Sequence, residues 1–123
     1  MTASQPIDAV PAYRGDGHLE RVLRSGAFAV TAEVTPPLSS SPGDLLDKAL
    51  PLRGLADAVN VTDGASARVH MSSLAAAALL ATNDIEPVLQ MTCRDRNRLA
   101  LQGDVLGAGA LGIPNILMLR GDD

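Results

Sequence analysis

The stretch AFAVTAEVTPP, residues 27–37, decides the fold. Its first eight residues, Ala27 to Val34, are β-rich and apolar apart from Thr31 and Glu33. Pro36-Pro37 ends them, because proline has no N–H to give to a ladder. This reads as a buried strand with one carboxylate near its C-terminal end. A doubly wound α/β sheet would carry a glycine-rich turn after its first strand. Thr35-Pro36-Pro37 stands there instead, which favours a barrel.

Working outward, Met1 to Gly17 is polar, contains Pro6 and Pro11, and reads as an irregular arm. A short helix fits His18 to Leu23, with Ser25-Gly26 as its stop. On the other side, Ser41-Pro42-Gly43-Asp44 offers an N-cap serine, proline at the first helical position and an acid in the first turn. Leu45, Leu46, Ala49 and Leu50 follow, so a helix is expected to about Arg53. Ala58 to Val61 is a second strand. Thr62-Asp63-Gly64 is a turn feeding an N-cap at Ser66, and Met71, Leu74, Ala75, Ala78 and Leu79 recur at helical spacing up to Asn83. Pro87 to Thr92 is a third strand, followed by a charged loop, Cys93 to Arg96. The next helix, Asn97 to Leu111, presents Leu99, Leu106 and Ala110, with Gly103, Gly107 and Gly109 allowing close approach to a sheet. Asn115 to Leu119 is the fourth strand.

The order β-α-β-α-β-α-β, with near-continuous apolar strands, implies a parallel sheet buried on both faces. A complete (β/α)8 barrel takes ~250 residues, and the chain has 123. The expectation is therefore an α/β fold comprising the first four strands of a TIM barrel over residues 18–123, incomplete as given.

Hydrophobic residues make up 46% and charged residues 20%, which suits a buried core. Tyr13 and Phe28 are the whole aromatic content and the net charge is -4, so there is neither a stacking platform nor a basic surface for nucleic acid. One cysteine, Cys93, excludes an internal disulfide and a multi-thiolate zinc site. The start lacks a signal-peptide pattern and no apolar run approaches ~20 residues. A cytoplasmic protein without a membrane partner is expected.

Polar residues close every strand: Glu33, then Thr62 with Asp63, then Gln90 with Thr92, then Arg120 with Asp122. In a barrel that end is the active face. Glu33, flanked by Val30, Ala32 and Val34, is expected to be partly desolvated, raising its pKa toward the range of a general acid. Asp122 is a candidate by position, although an Arg-Gly-Asp turn is often only a solvated loop. Thr62 and Gly64 could bring hydroxyl and backbone donors to a phosphate, although Thr-Asp-Gly is also an ordinary turn. Asp95 interrupts the basic run Arg94 to Arg98, which reads as a solvated helix start. Cys93 has no histidine or second thiol to activate it and reads as structural. His70, on the exposed side of an alanine-rich helix, has no i+4 partner for a metal, so no metal site is expected.

Four ordered motifs carry a resemblance: Thr31-Ala32-Glu33-Val34-Thr35-Pro36-Pro37; Val59-Asn60-Val61-Thr62-Asp63; Gln90-Met91-Thr92-Cys93-Arg94-Asp95-Arg96-Asn97; and Leu111-Gly112-Ile113-Pro114-Asn115-Ile116-Leu117 with Leu119-Arg120-Gly121-Asp122. Together they resemble the methylenetetrahydrofolate reductase family over about Leu19 to Asp123. The resemblance implies a (β/α)8 barrel that uses FAD to reduce methylenetetrahydrofolate to methyltetrahydrofolate, in one-carbon metabolism and methionine biosynthesis. It implies a folate substrate and a reduced nicotinamide or another electron donor. By motif, Glu33 is the general acid that opens the folate imidazolidine ring, and Asp122 lies between pterin and flavin. Thr62 and Arg120 hold the cofactor. Gln90 stands where many members have a histidine against the flavin. The Cys-Arg-Asp-Arg-Asn form resembles a divergent branch, some members of which are fused to methyltransferases or work with partner subunits. A homo-oligomer or a partner subunit is therefore expected.

Two other readings stand beside the reductase. One is a half-barrel binding or interaction module whose open edges pair with a copy or a complementary half. The other is a different pterin-binding TIM barrel, which shares the fold but lacks this set of motifs.

Overall fold

The computed structural model describes residues 17–121. The elements in chain order are helix α1 (His18–Ser25), strand β1 (Thr31–Val34), helix α2 (Pro42–Ala49), strand β2 (Ala58–Val61), helix α3 (Ser73–Ala81), strand β3 (Pro87–Thr92), helix α4 (Arg98–Ala110) and strand β4 (Asn115–Leu119). The arm expected before Gly17 and the candidate Asp122 lie outside the described residues.

All four strands are parallel and lie in the order β1-β2-β3-β4. A doubly wound sheet reverses its strand order at a switch point, and this one does not. Consecutive strands always neighbour each other, as in a βα barrel. The register sets Glu33 beside Asn60, Asn60 beside Val88, and Val88 beside Asn115. Since side chains alternate across a strand, these residues share one face. Val34, Val59, Val61, Leu89 and Met91 belong to the other face and form the core with Leu45, Ala49, Ala76, Ala77, Leu80 and Ala108 from the helices. One face of the sheet is thus covered by helices and the other is the interior face of a partial barrel.

Capping explains the helix bounds. Ser41 Oγ accepts the Asp44 N–H at 3.3 Å, and Pro42 opens α2. Proline at 51 cannot continue an α-helix, and Leu50–Leu52 tightens into a 3₁₀ turn where helix to Arg53 is expected from sequence. Gly26 stops α1 in the left-handed conformation, its N–H reaching Leu23 O. Asn97 caps α4, accepting the Ala100 N–H at 2.9 Å. The carboxylate of Glu86 accepts the N–H groups of His18 and Leu19 at 2.6 and 2.8 Å, tying α1 to the start of β3.

Several expectations are corrected. Ser66 does not cap α3: Ser66 and Ala67 sit at φ 58° and 55°, a left-handed path that cannot begin a right-handed helix. Ser72 does so instead, accepting the Ala75 N–H at 3.1 Å. His70 accordingly precedes the helix, its Nδ1 3.0 Å from Arg68 O. The buried face of α3 is Ser73, Ala76, Ala77 and Leu80, with Met71, Leu74 and Leu79 packed at its margin. Strand β1 is shorter than expected: Phe28 is 91% exposed and Val30 is exposed. Asp57 takes the place of a ladder there, its N–H reaching Val30 O at 2.7 Å and its carboxylate accepting the Val30 N–H at 2.8 Å. On α4 the packed residues are Leu101 and Ala108, whereas Leu99, Leu106 and Ala110 are exposed. The strands are not all buried on both faces, since Ile116, Leu117, Met118 and Leu119 of β4 are exposed. On one flank α4 packs on α3.

Among the described residues no helix is long and apolar enough to cross a membrane. No group of three or more His, Cys, Asp or Glu side chains among them could hold a metal ion.

Candidate functional site

The C-terminal ends of the strands form a pocket of about 310 Å³ whose lining includes Glu33, Thr62, Asp63, Gly64, Gln90 and Arg94. Three of the residues singled out in sequence, Glu33, Thr62 and Gln90, therefore meet in one place. Arg120 is exposed and outside that lining.

Glu33 does not have the desolvated setting expected for it. It is exposed on the interior face, because Ala32 and Val34, which flank it in sequence, point to the opposite side of the strand. Thr62 is the reverse case. Only 8% of the residue is exposed, and its hydroxyl is buried without a hydrogen-bond partner in the described protein. Buried polar groups are nearly always satisfied, and among the described residues the Thr62 hydroxyl shares this unpartnered state with Ser73 Oγ and Glu20 Oε2.

The pocket wall after β2 is a turn with Gly64 at φ 58°. Asp63 ties it to the end of β3. One carboxylate oxygen accepts the Thr92 N–H at 2.8 Å and the Thr92 hydroxyl at 3.2 Å. The same oxygen meets Arg96 Nη1 in an ion pair, and Arg96 Nη2 reaches the other oxygen at 3.3 Å. Arg96 also donates to Thr92 O at 2.8 Å and to Asp104 of α4 at 3.1 Å. Burial pushes the Asp63 carboxyl up, but the hydrogen bonds from Arg96 and Thr92, with the Arg96 charge, hold it below its ordinary value. Hydrogen bonding to Asp63 raises the Arg96 pKa in turn.

The sequence reading placed Arg94 to Arg98 in solvent, and for Arg94 and Arg96 this is wrong. Their side chains are 21% and 16% exposed. Arg94 Nη2 donates to Gly64 O at 3.3 Å, and Gly121 presses so close that a Cβ there would lie 2.9 Å from Arg94 Cβ. The usable signal was Asp63 at one strand end and the arginines following the next, since neighbouring parallel strands bring these ends together. Cys93 is exposed, with its Sγ 3.8 Å from Arg120 O.

No curated protein matches the chain significantly. A family model described as methylenetetrahydrofolate reductase matches residues 18–123. That match spans nearly the whole chain and agrees with the single-wound parallel sheet: the chain belongs to the methylenetetrahydrofolate reductase family.

Proposed function

We propose that this chain serves the flavin-dependent reduction of methylenetetrahydrofolate to methyltetrahydrofolate, with a reduced nicotinamide or another donor supplying electrons. The observation that carries this is the family match over residues 18–123, joined by a pocket at the strand ends that brings Glu33, Thr62 and Gln90 together. That donor set fits FAD, whose ring carries carbonyl and ring-nitrogen acceptors. Thr62 would give its hydroxyl proton to such an acceptor, Gln90 would add its amide, and Arg120 would supply a planar fork for phosphate or carbonyl oxygens. When bound, the flavin supplies the hydride chemistry.

The remaining steps belong to the chain. Glu33 would hold a proton on its carboxyl group and deliver it to a nitrogen of the folate imidazolidine ring, opening that ring to the electrophile that is reduced. Its exposure on the interior face leaves it accessible to substrate, and a bound ring system would exclude water from it. Asp122, one residue past Gly121, would lie between pterin and flavin.

We read the protein as cytoplasmic and the described sheet as the first four strands of an eight-stranded barrel. The bare β4 and the exposed Leu99 and Leu106 on α4 support the barrel reading. The same exposure favours a second reading, in which the chain pairs as an interaction module with a copy or a partner subunit.

FAD titration of the protein, with flavin absorbance as readout, tests the cofactor. Glu33→Gln tests the acid: flavin reduction by the donor is retained while folate reduction falls by about 100-fold or more, the scale of general acid catalysis. Equal loss in both half-reactions would make Glu33 a structural residue.

A further inference from the structure

The pocket wall formed by Thr62 and Gly64 is tied to the sheet at its start, where the Thr62 N–H donates to Val34 O at 3.2 Å, and continues through a short 3₁₀ turn at Ala65–Ala67. It leaves β2 at Val61 and passes through Gly64, Ser66 and Ala67, all at positive φ, before α3 begins at Ser73. Left-handed backbone at a serine and an alanine is unfavourable unless the surroundings impose it. The surroundings are visible. Asp63 is fastened to the Thr92 N–H and to the Arg96 fork, and Arg96 is fastened again to Asp104. Arg94 takes hold of Gly64 O.

We propose that Asp63 and Arg96 are positioning residues of this pocket: their ion pair clamps the loop after β2 onto the loop after β3, and so fixes where the Thr62 hydroxyl and the Gly64 backbone meet a ligand. Asp63 itself lines the pocket, but both of its carboxylate oxygens are engaged by Thr92 and Arg96, so the pair acts through Thr62 and Gly64. Its geometry is independent of the ligand, while its consequence for FAD rests on the flavin reading above. Because the pair is largely shielded from water, removing one partner strands the other charge. The bidentate fork also gives direction as well as attraction. An arginine is therefore needed where a lysine would supply charge alone.

The test compares wild type with Asp63→Asn, Arg96→Met and Arg96→Lys in the full-length protein. Amide hydrogen exchange is the first readout. Exchange at residues 62–67 and 92–96 is expected to quicken by on the order of tenfold in the Asn and Met variants, the scale of one charge-assisted hydrogen bond. The amides of Val59 and Leu89 should be unchanged. Asp63→Asn keeps the shape and an acceptor for the Thr92 N–H, so it reports on the clamp even if Arg96→Met does not fold. The second readout is FAD affinity, expected to fall by about tenfold in both variants and to recover only in part with Arg96→Lys. In combination with Thr62→Val, Arg96→Met should cost less affinity than it does alone, because the hydroxyl it positions is already gone.

Exchange that quickens uniformly over the sheet, or not at all, overturns the clamp. Additive losses with Thr62→Val overturn its action through Thr62. Failure of the wild-type protein to bind FAD overturns the flavin reading instead, and the exchange pattern then decides the clamp alone.

Discussion

Thr62→Val should make the ligand-free protein more stable and its cofactor binding weaker, a pairing of signs that an ordinary structural threonine would not produce. The hydroxyl is buried without a partner, and an unsatisfied buried group of this kind costs about 1–3 kcal/mol. Valine has the same shape and the same restricted χ1, so it removes that cost without opening a cavity. Thr62 lies at the edge of an open pocket, which places the gain near the lower end, at about 1 kcal/mol. In a domain of this size that is an upward shift of about 4 °C in Tm. On the flavin reading proposed above, the hydroxyl is also a donor to the cofactor, so affinity for FAD should fall by about tenfold, the equivalent of roughly 1.4 kcal/mol. Urea denaturation followed by circular dichroism measures the first effect and flavin fluorescence the second. A destabilised Thr62→Val protein would show that the hydroxyl is satisfied in the folded state. A stabilised protein with unchanged FAD affinity would show that the ligand does not use it.

Other consequences can be checked in parallel. The Asp63 carboxyl has a native pKa below its ordinary 3.8, so its contribution is present above that pH and is lost as pH falls through the native value. Asp63→Asn should remove that share of the acid dependence, read as a smaller difference in urea midpoint between pH 5 and pH 3. Leu80 is fully buried, and Leu80→Ala should cost about 2–5 kcal/mol, measured by denaturation; a loss below 1 kcal/mol would mean that the site collapses. The exposed Leu99 and Leu106 should drive self-association of the 123-residue polypeptide. Leu99→Lys with Leu106→Glu should reduce the scattering mass, and an unchanged mass would place the contact elsewhere.

The backbone plan was largely legible, because β2, β3 and β4 are short apolar runs bounded by turn residues, and Asn97 and Pro42 mark helix starts by their chemistry alone. The faces of α3 and α4 were harder. In α3 nearly every residue is apolar, so periodicity points almost equally in all directions and packing decides. In α4 the leucines at 99 and 106 are spaced as a buried stripe, but the core takes Leu101 and Ala108 instead. At the site, Glu33, Thr62 and Gln90 could be placed together from strand order. The inward turn of Arg94 and Arg96 could not, because a charged run looks solvated until its acidic partner, 33 residues earlier for Arg96, is known to be adjacent.

The capping of α1 by Glu86 bears on how the polypeptide matures as it is synthesised. The donors are the N–H groups of His18 and Leu19, and the acceptor lies 68 and 67 residues further along. An isolated eight-residue helix is marginal in water, and α1 buries no residue of its own. While the chain is being made, α1 gains its His18–Asp57 contact at 2.8 Å once Asp57 has followed it, but its first N–H groups lack their carboxylate cap until Glu86 is added. The same carboxylate then receives the Asn115 side chain at 3.2 Å. Closure of this end thus depends on contacts distant in sequence, which slow folding.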